Sequence, residues 1–289
     1  MNNTIKTILL LGILTTLLVG VGRVLAPGST PMLLVMALMM NAGAYFFSDS
    51  IVLRVSGARE VSVSEAPELH TIVDELARLA GIPKPRVCII DQQQPNAFAT
   101  GRNPAHGVVA ATSGILELLD RRELRAVLAH EMSHVLHRDI LIQSIAAVMA
   151  TAISYAAQSL MWSGMFGGRR DDEERGGGLA ALLVMLVAPV AASLVQLGIS
   201  RSREFDADRA GATLCGDPMA LADALEKLEN CSHQIPADVA PGTASLYIVN
   251  PLAAGERLSR LFSTHPSTEE RVERLTAMAH AMQSQGGTR

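Results

Sequence analysis

The chain has 289 residues, of which 49% are apolar and only 18% charged, against roughly 25% charged in an average soluble domain. A net charge of -4 and an aromatic content of 3% provide neither a basic phosphate-binding surface nor base-stacking platforms, so nucleic acid is excluded as a partner. Cys88, Cys215 and Cys231 are odd in number and far apart, which excludes a disulfide framework and a zinc ribbon and suits a reducing compartment.

Taken in chain order, the missing charge is concentrated in four stretches without Asp, Glu, Lys or Arg: Thr7 to Gly22, Val24 to Ser48, Ile140 to Gly168 and Gly176 to Ser200. About 20 apolar residues carry a helix across roughly 30 Å of hydrocarbon. The first stretch is slightly short unless Arg23 snorkels, and the others suffice. One such run could be a buried core helix; four in one chain predict four transmembrane helices. Lys6, Val24 and Ala26 would also suit a cleaved signal peptide, but Pro27 directly after that site argues for a retained anchor. Residues 1–48 are therefore two N-terminal spans, 49–139 the first part of a polar domain, 140–200 a transmembrane hairpin and 201–289 the second part.

With four crossings, both polar parts lie on one side. Ten basic residues near the segment ends mark that side (Lys6, Arg54, Arg59, Arg121, Arg122, Arg125, Arg138, Arg201, Arg203, Arg209), against four (Arg23, Arg169, Arg170, Arg175) on the other. The bias places the polar domain in the cytoplasm. The loop GGRRDDEERGGG reads as a solvated turn. Val108 to Thr112 is a β-compatible run ending at a turn signal, Ser113-Gly114, and is consistent with either a core strand or an edge strand.

Before the third stretch stands LLDRRELRAVLAHEMSHVLHRD. Asp120 with Glu123 forms a capping-box pattern, and Leu124, Val127, Leu128 and Val135 recur at helical spacing, so HEMSH falls inside a helix. His130 and His134, four apart, share a helix face and can offer two imidazole nitrogens to one Zn²⁺, while Glu131 can reach a bound water as general base. His137 lies on the same face as His134 and reads as a bystander rather than a residue that supports a ligand. A third ligand is required. The metzincin pattern is absent, because His137 and Ile140 stand where its glycine and third histidine would be. A common remaining choice is a Glu from a second helix, and SREFDADRAGA follows the fourth stretch. Glu204 and Asp208, four apart, suit a ligand and a carboxylate that orients a liganding histidine, whereas Asp206 points elsewhere. By itself Glu204 could equally pair with Arg201 or Arg203. Topology favours the ligand, since two crossings between the histidines and Glu204 return the chain to its starting side.

PNAFATG at Pro95 to Gly101, HEMSH, the paired hydrophobic segments, SREFDAD and THPSTEERVERL at Thr264 to Leu275 together resemble the HtpX-type membrane zinc metalloproteases, relatives of the CAAX-processing prenyl proteases. The resemblance implies an α+β membrane protein, mostly helical, whose cytoplasmic gluzincin-like protease domain carries a small sheet. It implies one Zn²⁺ per chain on His130, His134 and Glu204, with Glu131 as base. It further implies a bacterial inner-membrane enzyme acting in quality control of unfolded or misfolded membrane proteins. The family pattern HPxxxxR falls on His265, Pro266 and Arg271, and implies His265 as an oxyanion donor supported by Arg271. The alternative is a turn before a helix from Glu269 to Ala281, with Arg271 a surface charge. In that context Val108, Val109, Ala110, Ala111 and Thr112 are expected to be an edge strand beside the zinc on which an extended substrate pairs, with Asn96 anchoring the preceding loop. The lysines, Lys6, Lys84 and Lys227, do not follow glycine, so no nucleotide-binding loop is present and the reaction is expected to need no ATP. A zinc-stabilised scaffold or holdase, or a narrow peptide-processing protease, are the competing functions.

Overall fold

The computed structural model describes residues 30–148, 201–232, 234, 246–248 and 266–286, with part of 5–19. The expected crossings over 149–200 and His265 lie outside the described residues.

Helix α1, Thr30–Val55, has a mean hydropathy of 1.5 over its most apolar stretch and is the one helix among the described residues long and apolar enough to span a bilayer. Its 26 residues extend about 39 Å at 1.5 Å per residue. Met32, Met39 and Phe47 are 71%, 70% and 60% exposed, as side chains facing lipid would be. The described positions between 5 and 19 are helical, and Asn41 of α1 donates to the Leu11 carbonyl at 2.9 Å and to Thr15 Oγ1 at 2.7 Å. A buried amide in an apolar helix needs such partners. Residues 140–148 are also helical, so the described start of the third hydrophobic stretch agrees with a helix.

The polar domain is built on a four-stranded mixed sheet in the order β1 (Arg59–Glu60), β2 (Arg86–Ile90), β4 (Val108–Thr112), β3 (Ala97–Thr100). β4 runs parallel to β2, pairing Cys88 with Ala110, and antiparallel to β3, pairing Ala99 with Val109. This corrects the expectation that Val108, Val109, Ala110, Ala111 and Thr112 form an edge strand. Both ladder sides of β4 are used and all five residues are buried. The physical reason is readable afterwards: VVAAT lacks the apolar-polar alternation of a half-exposed strand, as expected of a strand covered on both faces. Val109 and Ala111 face the main core, whereas Val108 and Ala110 face a second cluster with Val52 and Leu53 from the end of α1, and Ala147. The sheet thus lies between the main core of the polar domain and the end of α1. Among the described strands β1 and β3 are the two edges, and β3 is the one that flanks β4.

Helix α2, Pro67–Ala80, begins with proline at its first turn and ends on Gly81, whose φ of 65° is the left-handed cap that glycine adopts without strain. After α3 (Ser113–Leu118) comes α4, Arg121–Leu136. Asp120 accepts from the Glu123 N–H at 2.9 Å while Glu123 accepts from the Asp120 N–H at 3.0 Å, the reciprocal capping box expected from the sequence. Every residue of α4 from Ala126 to Val135 is buried. It is enclosed by β3, α2, α5 (Arg201–Cys215) and α6 (Pro218–Ser232), with α7 (Thr268–Gly286) packed on α5 and α6.

Candidate metal centre

His130 and His134 sit one turn apart in the buried middle of α4, their ring centroids 5.0 Å apart. Glu204, in the first turn of α5, reaches both: its carboxylate lies 3.8 Å from His130 Nε2 and 3.7 Å from His134 Nε2. All three are buried, and their donor atoms lie within 4.8 Å of one another. Gly211 allows this approach, since a Cβ there would stand 2.7 Å from both the Cα and the N of His130. The same interhelical contact is closed by Ser133, whose hydroxyl donates to the His130 carbonyl at 2.7 Å and the Ala207 carbonyl at 3.3 Å.

The donor set fits a metal. Three ionisable groups are drawn together out of water, an arrangement that is costly unless a cation joins them. Two imidazoles and one carboxylate are a donor set of catalytic zinc sites, with a coordination position left open. Among the described residues these are the ones grouped to hold an ion.

Glu131 lies beside the ligands, 4.0 Å from His130 Nε2, and accepts the Ala99 N–H of β3 at 2.9 Å. Burial pushes its carboxyl above the ordinary carboxylate range, an effect opposed by the two histidines and reinforced by Glu204. For His134, burial disfavours the proton, but Asp139 and the carboxylates of Glu204 and Glu131 outweigh it and lift the imidazole to about 9. Bound metal would take the place of that proton.

Behind the ligands stands a second layer of charge. Asp208 is 2.9 Å from His130 Nδ1, and Asp139 is 3.5 Å from His134 Nδ1. Burial alone would raise the Asp208 carboxyl, but Arg271 and His130 bring it down to about 2. Arg271 is 1% exposed, so it is not a surface charge. Its Nε and Nη2 donate to Asp208 at 2.9 and 2.7 Å, and its Nη1 to the Ile248 carbonyl at 2.8 Å. All three guanidinium nitrogens are thus engaged within the protein. Asp206 is exposed, as is His137, which caps the end of α4.

The cleft over the ligands is lined by Phe98, Ala99, Gln143 and the segment Leu246, Tyr247 and Ile248. Sequence reasoning missed Asp139, Gln143, Gly211 and Leu246 to Ile248 as parts of the site. Asp139 is the one with a usable signal, a carboxylate placed where α4 ends and the next helix begins. Asn96 does more than anchor its loop: its N–H donates to Thr112 Oγ1 at 2.8 Å, and its Oδ1 accepts the Ile248 N–H at 3.2 Å.

A buried His/His/Glu cluster with an adjacent carboxylate, in a chain that also carries an apolar helix long enough to span a bilayer, is the arrangement of a membrane metalloprotease. The family model for Peptidase family M48 matches residues 63–279, and the chain belongs to that family. It is 56% identical over 280 residues to the Protease HtpX homolog of Thermodesulfovibrio yellowstonii, covering 96% of this chain and 99% of that one. It is 51% identical over 288 residues to the corresponding homolog of Persephonella marina, covering 98% and 99%. The crystal structure of S. mikatae Ste24p shares the fold with a TM-score of 0.51 at 18% identity, covering 94% of this chain and 65% of the Ste24p chain.

Proposed function

We propose that this metalloprotease is a zinc endopeptidase of the bacterial inner membrane, with its active site on the cytoplasmic side and misfolded or damaged membrane proteins as substrates. The observation that carries the reading is the convergence of His130, His134 and Glu204 around one point with Glu131 alongside, on a helix that directly precedes the third hydrophobic stretch. Arginine-rich segment ends support the cytoplasmic side.

Zinc bound there would polarise the scissile carbonyl and make its water a nucleophile near neutral pH. Glu131 would be the base that accepts a proton from the attacking water and returns it to the leaving amine, and its hydrogen bond from the Ala99 N–H holds the carboxylate in place. Asp208 and Asp139 hold the Nδ1 side of His130 and His134, leaving each Nε2 to face the ligand point. An extended substrate pairs along the β3 edge beside Phe98 and Ala99, the place first assigned to β4. Backbone pairing reads little side-chain identity and suits a broad range of unfolded segments. His265, directly before Pro266 and α7, is the proposed oxyanion donor.

The test is the full chain purified in detergent, stripped of metal, refilled with Zn²⁺ and given an unfolded protein. Cleavage is expected to return with zinc and to fall at least about a hundredfold in Glu131→Gln. Equal cleavage by both proteins would refute Glu131 as the base, and absence of cleavage by either would favour a zinc-stabilised scaffold.

A further inference from the structure

Arg271 joins two parts of the site that no single element contains. It comes from α7, is among the largest fully buried side chains, and grips both Asp208 oxygens with a planar fork. Asp208 in turn stands 2.9 Å from Nδ1 of the ligand His130. The third nitrogen of the same guanidinium holds the Ile248 carbonyl at 2.8 Å. Ile248 is part of the cleft wall and is fixed from the other direction by its N–H to Asn96. Arginine's rigid fork transmits position in a way that a flexible ammonium does not.

We propose that Arg271 is a positioning residue that couples the metal ligand His130 to the cleft wall at Ile248, so that metal retention and substrate fit depend on one side chain. A shift of α7 then loosens Asp208 behind the metal and the wall beside the substrate together. The substrate half of this proposal rests on the peptidase reading; the metal half does not.

The structure separates the two arms. Asp208 belongs to the metal arm alone, and Asn96 to the wall arm alone. The experiment measures zinc affinity by chelator competition, and KM and kcat at saturating zinc on an unfolded-protein peptide, in the detergent-solubilised full chain. Arg271→Lys should weaken zinc binding about ten- to a hundredfold and raise KM roughly two- to tenfold, the effect of one lost hydrogen bond. Asp208→Asn should reproduce the zinc effect with KM nearly unchanged. Asn96→Ala should reproduce the KM effect with zinc affinity within about twofold of the parent, less than one lost hydrogen bond.

Parental zinc affinity in Arg271→Lys overturns the coupling. So does a loss of zinc affinity together with a rise in KM in both Asp208→Asn and Asn96→Ala, which is the signature of a merely structural role. Should Arg271→Lys fail to fold, the double variant Asp208→Asn with Arg271→Gln removes both buried charges at once. It must match Asp208→Asn in zinc affinity and exceed it in KM, and any other result refutes the proposal. If the parent protein cleaves nothing, the zinc measurements alone decide: parental affinity in Arg271→Lys overturns the coupling, and the expected loss supports its metal arm.

Discussion

Helices α1 and α4 are both rich in apolar residues, yet they solve opposite problems. In α1 the apolar side chains face outward, Met39 being 70% exposed, and the few polar groups such as Asn41 and Ser48 are turned inward. In α4 the apolar side chains from Ala126 to Val135 are enclosed, Met132 being 0% exposed, and the polar groups buried among them include His130, Glu131 and His134. Hydrophobicity alone therefore distinguishes neither helix. What differs is the outside: α1 presents an exposed apolar face suited to lipid, whereas tightly packed protein surrounds α4. Only the packed surroundings can hold three ionisable side chains at fixed separations.

The contrast can be broken or sharpened by substitution. The largest stability effect is expected from Met132→Ala, which empties a fully enclosed site on α4 and should lower stability by about 2 to 5 kcal/mol, read by thermal unfolding in detergent. Gly211→Ala follows, at about 1 to 3 kcal/mol. Its added Cβ presses on the His130 backbone and should also weaken metal binding by separating α5 from α4. A Gly211→Ala protein with parental metal affinity would show that this close helix approach is not what places Glu204. Asp120→Ala removes one half of the capping box and should cost about 1 kcal/mol while zinc affinity and cleavage persist, because the cap lies more than two turns from the ligands. Smallest of all is Met39→Ala, expected within about 0.5 kcal/mol of the parent. A loss as large as that of Met132→Ala would mean that the exposed face of α1 is packed against something more specific than lipid.

Much of the centre was legible along the chain because its signals are local. Four-residue spacing places His130 with His134, and Glu204 with Asp208, on single helix faces whatever the fold around them. Asp120 and Glu123 are three apart and report a helix start for the same reason. The misread elements depend on partners distant in sequence. Val108 to Thr112 was correctly bounded as a strand, but its inner position follows from β2 and β3 pairing on either side. For Arg271 it is the surface-charge alternative that burial overturns, and its observed partner Asp208 lies 63 residues away. The link from Asn96 to Ile248 spans 152 residues. No periodicity within either segment could announce it.

The sequence by itself determined the apolar segments, the HEMSH helix with its cap, and the pairing of Glu204 with Asp208 on one face, since each follows from composition or from spacing within one element. Only the tertiary structure decided how those faces meet. It set the strand order, the close contact at Gly211, and the engagement of Arg271 with both Asp208 and Ile248. These depend on the packing of whole elements against one another, where steric fit and the need to satisfy buried charge select one arrangement from the many that local periodicity allows.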